Sequence, residues 1–560
     1  MKKHRPISIE GNRIEITTAR LSAVLEGAEL VELRNARGTV LAQRASGKRP
    51  APVELRFANG EKVDVGANAP ARVVSLGERM AHVHVADENG DVTLRLLIDD
   101  QDRLVIEPSA QTLRRGLCGV GWRIPGIAKR LQLVAPFFQG CRQDLTHPLV
   151  AGKYWEWPCS WEAGFVVLQG KRDGFSVAAY DRLNVPKAVE IGGKERAGSL
   201  TFHTLAHGPA ADSVAVGSLR WVIDAHDGDW TVPAGVYREW LHRDIGADRL
   251  KALRPDWVDD IRLALQWSGN VPEVLDAVAR VMDPRRVLIH HATWRSDPYD
   301  VNYPEYRASR EGAAFLAKGR AMGYRIMPHF NYFSIDPEHP EFARMTDFVV
   351  RDFSTRRLRA WRWNGQWVQP PQAYGRLKGL RDEKLMYHLH PGASPWRRLL
   401  AERIAAAAAR HRLSAVFVDQ TLCTWNADNA LVENLSMAEG VVALTRELTE
   451  LDGLPAVGGE GLNEMTMRYQ SFAQAHLFDS YHQNCPHFDE LDPVPMGHFL
   501  YGDLCRTMGY SGLGGDTQAS VRRLEVHERL GALPSLEVRK PDDVLNPNPA
   551  VRRVLDRAKA

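Results

Sequence analysis

Cysteine is scarce in this chain: six residues in 560, namely Cys118, Cys141, Cys159, Cys423, Cys485 and Cys505, with no C-x-x-C pair. That usage argues against a disulfide scaffold or a zinc ribbon and leaves scattered reduced thiols. Charge of one sign is lacking too. Lys and Arg number 72 against 69 Asp and Glu, a net charge of +3, too small to gather polyanions, so nucleic acid is not an expected partner. No apolar run approaches the roughly 18 residues of a membrane span, and no membrane association is expected. The basic start MKKHRPISIEGNRIEITTARL has no apolar signal core behind it; a cytoplasmic location follows by default, unless a leader has been trimmed.

What is present is ordinary globular composition, 44% hydrophobic and 25% charged, enough to bury a core. At about 150 residues per domain the length implies two to four domains, fewer if one is a large barrel. Residues 1–233 read as antiparallel β-structure. IEITTARLSAVLEG, LVELRNARGTVLAQR, MAHVHVADENGDVTLRLLIDD and RLVIEPS alternate apolar and polar residues between Gly, Asn and Asp turns, the pattern of a β-sandwich. Within it, KYWEWPCSWEAGF carries three Trp residues, Trp155, Trp157 and Trp161; it reads as a packed corner or, alternatively, a ligand-facing loop.

A helical linker over 234–258 changes the pattern. From 259 to 532, apolar strands alternate with amphipathic helices: IRLALQW, RVLIHHATW, YRIMPHFNYF, AVFVDQT, LPAVGGEGL and HLFDSYHQ, with GHFLYGDLC and GYSGLGGD as last strands. An insertion over about 334–393 holds a hairpin, RLRAWRWNGQWVQ, turning at Asn364-Gly365. A helix after nearly every strand, and no Gly-rich dinucleotide fingerprint after the first, favour an α/β fold of the (β/α)8 TIM-barrel type over an open sheet. Residues 533–560 read as a C-terminal tail packed on the barrel, without chemistry of its own.

In barrels the chemistry sits where strands end. The polar and aromatic residues there are Trp267, His290, His291, Trp294, His329, Asn331, Asp419, Gln420, Glu460 and Asp479. Carboxylates with imidazoles and indoles suit a sugar, the former acting at the anomeric carbon and the latter stacking on ring faces. Asp419 ends a buried strand, where a carboxylate is costly unless solvated at the mouth or paired; its plainer role is a loop cap. Glu460 ends the next strand after two glycines that permit close approach or a bulge; its plainer role is a helix cap. Strands about 4.8 Å apart put such carboxylates near the roughly 5–5.5 Å of a retaining glycosidase rather than the 6.5–9.5 Å of an inverting one. Asp479 is placed to bind hydroxyls, to replace Glu460 as the acid, or to cap a loop. His290 and His291 point to opposite faces, so at most one enters the barrel, whereas His329 and Asn331 share a face. His482, Cys485 and His487 lack zinc spacing, and Trp361, Trp363 and Trp367 form either a stacking platform or the packed face of the hairpin.

The order of a β-sandwich with YWEWP…GFVVLQGKRDGFSVAAYD, then a barrel with AVFVDQT and AVGGEGLNE, resembles a bacterial glycosidase-like family, the domain of unknown function 6259. Through its barrel it resembles the endo-α-N-acetylgalactosaminidases and their relatives near the α-amylase superfamily. The resemblance implies a galactose-mutarotase-like supersandwich ahead of the barrel, an Asp nucleophile ending the fourth strand (Asp419), a Glu acid/base ending the fifth (Glu460), and a His after the third (His329). A His-Asp pair ending a seventh strand has no counterpart here. The α-galactosidase clan would instead select Asp419 and Asp479.

The expectation is a retaining glycoside hydrolase for α-galactoside or α-N-acetylgalactosaminide-type linkages. Trp267, Trp294, Trp425, His329, Asn331, Gln420 and Asp479 would bind a carbohydrate substrate. Glu460 must hold its proton near neutral pH, which burial and Asp419 favour. No cofactor or catalytic metal is called for, a structural calcium stays open, and the oligomeric state is unspecified. The rival from another class is a non-catalytic carbohydrate-binding protein, which would need no matched carboxylate pair.

Overall fold

The structure is a computed structural model and describes residues 6–45, 51–67, 69–362, 366–368, 385–450, 456–475, 492–509 and 518–560. The chain divides into two compact units, one of Met1–Asp244 with Phe353–Thr355 and Asn426–Asp428, the other of Ile245–Asp352, Arg356–Trp425 and Asn429–Ala560.

The first unit is built of antiparallel sheets. Five successive strands from Ile7–Glu10 to Val40–Gln43 form a meander. Its period is visible in Leu21–Glu26, where every second residue is buried, as alternation requires of a sheet with one wet face. A six-stranded sheet has Leu117–Ile124 at its centre, between Leu200–Leu205 and Val53–Phe57. A larger sheet includes Trp221–Asp227 between Asp173–Ala178 and Leu104–Gln111. Trp221 meets Phe202 at 5.3 Å between ring centroids and Trp161 at 6.2 Å. The Trp-rich segment is a packed corner: Trp155, Trp157 and Trp161 are all buried, the Lys187 ammonium lies over the Trp157 ring, and the Trp161 indole donates to the Phe165 carbonyl.

In the second unit eight parallel strands form a nearly closed barrel. In chain order they are Leu263–Ser268, Val287–His291, Arg325–Asn331, Ala415–Asp419, Ala456–Glu460, Phe472–Ala475, Arg506–Gly509 and Ser535–Leu536. Each pairs with its successor through the seventh, the eighth pairs with the first, and a parallel bridge from Met508 to Leu533 brings seventh and eighth together. Helices follow the strands for readable reasons. Ser309 caps Arg310–Met322 by accepting from the Gly312 N–H, and Gly323 closes it in the left-handed region. Ser436 and Glu439 form a reciprocal capping box ahead of Met437–Glu450.

Three sequence readings change at the end of the barrel. The sixth strand is Phe472–Ala475, just ahead of HLFDSYHQ, the segment read as that strand, which lies outside the described residues. GHFLYGDLC begins as the helix Met496–Tyr501, and the seventh strand follows it. The eighth strand, Ser535–Leu536, comes from the segment read as a tail, which also supplies the amphipathic helix Pro549–Lys559. Strands of two to four residues are too short to display an alternation of their own. In the insertion, Ser334–Ile335, Leu385–His388, Ala360–Arg362 and Gln366–Val368 make a four-stranded antiparallel sheet. The expected hairpin is present in its pairing of Trp361 with Trp367; its turn, with Trp363, lies outside the described residues.

Candidate active site

The barrel interior is filled from below by an apolar cluster that includes Ala264, Leu288, Met327, Ala415, Phe417, Ala456, Phe472 and Met508. Because side chains alternate along a strand, the next inward positions toward the strand ends are fixed by parity. They are Gln266, His290, His329, Asp419, Gly458 and Gln474, with Asn331 one step beyond His329 and Glu460 one step beyond Gly458. A polar layer therefore sits on an apolar plug at the end of the barrel where such folds place their chemistry.

These groups hold one another. The Gln474 amide donates to Gln266 Oε1 at 2.8 Å. His329 Nδ1 lies 3.2 Å from His290 Nε2, and His329 Nε2 lies 3.1 Å from the Tyr299 hydroxyl and 3.4 Å from Asp419 Oδ2. Tyr299 also donates to Asp419 Oδ2 at 3.4 Å. Both contacts fall on the same carboxylate oxygen, and among the described residues nothing bonds Oδ1. Asp419 keeps 9% of its side-chain surface exposed, enough for one oxygen to meet a ligand. Burial pushes the His290 imidazole well below its ordinary value, with the neighbouring His329 and His291 acting in the same direction, so His290 is neutral at physiological pH.

Glu460 is 1% exposed, and its Oε2 accepts from the Gln420 backbone N–H at 3.1 Å. Its carboxylate is thereby fastened to the residue after Asp419. The Thr421 hydroxyl donates to the Glu460 carbonyl at 2.6 Å and accepts from the Gln470 amide at 2.9 Å, clamping the ends of strands four and five together. The glycines before Glu460 are required by this closeness. A Cβ on Gly458 would lie 2.5 Å from Met327 Sδ, and one on Gly459 would lie 2.3 Å from Gln470 Nε2 and 2.7 Å from Thr421 Oγ1.

Two non-glycine residues at strand ends, Trp267 (φ 52°) and Gln420 (φ 61°), occupy the left-handed region, a conformation that concentrates at functional sites. Trp267 is half-buried and its ring lies 5.2 Å from His290, 5.9 Å from His329 and 6.4 Å from Tyr299, centroid to centroid. It borders the imidazoles and the tyrosine that flank Asp419.

Other sequence-predicted residues fall elsewhere. Trp294 is wholly buried, donates its indole N–H to the His329 carbonyl and packs on Phe330; it supports the third strand and offers no face to a sugar. Asn331 accepts from the Phe333 and Ser334 N–H groups and donates to Gln420 Oε1 at 3.4 Å, so it shapes the loop. His291 points away from the interior, bonds the Ser268 carbonyl and Asn270 and stacks on Phe315. Trp425 lies beside Phe333 and His388 under the Arg359 guanidinium, next to the insertion. Asp479, His482, Cys485 and His487 lie outside the described residues. Sequence reasoning missed Tyr299, which sits on an irregular loop eight residues beyond the second strand and shows no periodic signal.

Residues 217–431 match the family model described as "Domain of unknown function (DUF6259)". That span contains Trp267, His329 and Asp419 and ends before Glu460. No curated protein matches the chain. Among solved structures, the ligand-free α-N-acetylgalactosaminidase NagBb from Bifidobacterium bifidum is similar over 99% of this chain and 92% of its own, with a TM-score of 0.66 at 12% identity. The same enzyme in its Gal-NHAc-DNJ complex gives a TM-score of 0.68 at 12% identity, over 97% of this chain and 92% of its own. A GH31 family sulfoquinovosidase from E. rectale, in complex with the aza-sugar inhibitor IFGSQ, gives 0.53 at 11% identity, over 99% of this chain and 82% of its own. At these identities the likeness is one of fold, and the fold is one that glycoside hydrolases use.

Proposed function

We propose that the protein is a retaining glycoside hydrolase of the (β/α)8 class, acting on α-galactoside or α-N-acetylgalactosaminide-type linkages. The observation that carries this reading is the pair of inward-facing carboxylates, Asp419 and Glu460, ending neighbouring parallel strands. Strands about 4.8 Å apart bring such a pair toward the separation that a covalent mechanism uses. The sugar class draws support from the fold shared with an α-N-acetylgalactosaminidase that has been captured with Gal-NHAc-DNJ and with GalNAc.

In this mechanism Asp419 Oδ1 attacks the anomeric carbon while Tyr299 and His329 hold Oδ2. The bond to the leaving oxygen breaks with its electron pair, and Glu460 protonates that oxygen as it departs. Glu460, now a carboxylate, takes a proton from water, whose oxygen displaces Asp419 and restores the original anomeric configuration. Trp267 stacks on the sugar face. The cycle balances with two carboxyl groups and one water and calls on no cofactor.

A panel of aryl α- and β-glycosides of galactose, N-acetylgalactosamine, glucose and fucose tests the reading, with wild type, Asp419→Asn and Glu460→Gln. Turnover of one α-galacto-configured glycoside, abolished in Asp419→Asn, is expected. Sugar binding without turnover of any member, extended to natural oligosaccharides, would make the protein a carbohydrate-binding module instead.

A further inference from the structure

We propose that His290 is a positioning residue that donates to His329 Nδ1, so that His329 is held with its Nε2–H toward one oxygen of Asp419 while the other is presented to the sugar. This rests on the reading of Asp419 as nucleophile, but the tautomer itself does not.

Donors and acceptors must match along the series His290, His329, Tyr299 and Asp419. A neutral imidazole has one N–H and one lone pair, and which nitrogen carries the proton follows from the partners. His290 Nδ1 is buried and finds no partner among the described residues. Two arrangements are open. If His329 Nδ1–H donates to His290 Nε2, then His290 must carry its own proton on Nδ1. That leaves a buried N–H unpaired, and the single Tyr299 O–H must then serve either the His329 Nε2 lone pair, 3.1 Å away, or Asp419 Oδ2, 3.4 Å away, so one acceptor goes without a donor.

If His290 Nε2–H donates to His329 Nδ1 instead, the His329 proton sits on Nε2. It then faces Asp419 Oδ2 and the Tyr299 oxygen, and Tyr299 O–H donates to the same Oδ2. The one unsatisfied atom is then the His290 Nδ1 lone pair. Unpaired buried acceptors occur more readily than unpaired buried N–H groups, so the second arrangement wins on both counts. The His290 ring is held in place for this by Phe417 at 4.2 Å and Trp267 at 5.2 Å, centroid to centroid. Without the His290 donor the Nδ1 lone pair of His329 is left unpaired, the proton on Nε2 is kept by Asp419 and Tyr299 alone, and the ring that orients Asp419 loses its inner anchor.

Two variants separate this from packing. His290→Phe retains a ring against Phe417 and removes the donor; His290→Gln returns an amide donor near the position of Nε2. Nitrogen NMR of the histidine-labelled full chain, with the His329 signals assigned through His329→Asn, reads the tautomer directly. The expected results are an Nε2–H tautomer of His329 in wild type, with its bare Nδ1 hydrogen-bonded, and loss of that hydrogen bond, read as a downfield shift of Nδ1, in His290→Phe. A fall in kcat of about 100-fold at nearly constant KM should accompany that loss, from a misoriented nucleophile, with at least about tenfold recovered in His290→Gln. An Nδ1–H tautomer in wild type, or an unchanged Nδ1 shift and kcat in His290→Phe, would overturn the proposal. Should the wild type hydrolyse no glycoside, the functional reading fails while the tautomer measurement still decides the role of His290.

Discussion

At the scale of single residues, the proposed site sets side chains that would meet a ligand apart from side chains that support it, and the two kinds should respond differently to truncation. Removing the Asp419 carboxylate charge in Asp419→Asn is expected to lower kcat by at least about 10³-fold with little change in the unfolding temperature, measured by steady-state kinetics and calorimetry. Trp267, half-buried beside the imidazoles, is the stacking face of the proposed mechanism. Trp267→Ala should raise KM by roughly tenfold, the worth of one aromatic contact, and leave the fold intact. Trp294 is equally aromatic and equally close to a strand end, yet it is enclosed and bonded to the His329 carbonyl. Trp294→Ala should instead destabilise the protein by about 3–5 kcal/mol in denaturant unfolding. The sequence alone cannot separate these two indoles, because both follow an apolar strand. The distinction comes from a register shift near the end of the first strand and from the positive φ of Trp267.

At the scale of elements, the fourth and fifth barrel strands carry the account. AVFVD and AVGGE are apolar runs ended by a carboxylate, and parity with the plug residues Phe417 and Ala456 turns both carboxylates inward. That much is legible in the sequence, as are the strand-helix alternation from Leu263 to Glu460, the helices with caps, and the glycine pair. The glycines were readable as a sign of close approach; what approaches, Met327, Gln470 and Thr421, was not, since those contacts span far-separated segments. The last three strands were not legible because strands of two to four residues carry no period, and FAQA is as compatible with a helix as with a strand. Gly459→Ala tests the element directly. Its Cβ meets Gln470 and Thr421 inside van der Waals distance, so the clamp must shift and move Glu460. A destabilisation of about 1–3 kcal/mol and a fall in kcat are expected together, whereas substitution of an open glycine such as Gly235 should show no fall in kcat.

At the scale of the whole molecule, the two units answer to different tests. Among the described residues no helix is long and apolar enough to cross a membrane. In the β-unit, the Trp-rich corner holds a partly buried carboxyl beside its indoles. Burial pushes Glu162 from its ordinary 4.5 up to about 8, although the Gln139 N–H bonded to it pulls the other way. Between those two values the folded protein holds a proton that the unfolded chain has released. The folded state is therefore penalised progressively as pH rises through that window, and fully above about 8. Glu162→Gln removes the penalty: its unfolding temperature should exceed that of wild type by several degrees at about pH 9 and match it near pH 5. A constant difference at both pH values would place Glu162 in its charged form throughout.

The barrel unit carries the central claim, that Asp419 forms a bond to the sugar. The most direct measurement is peptide mass spectrometry after incubation with a fluorinated α-galactosyl fluoride, which forms the glycosyl-enzyme quickly and releases it slowly. The account predicts a single glycosyl adduct on the peptide containing Asp419, absent in Asp419→Asn. An adduct on any other carboxylate, Glu460 included, would contradict it.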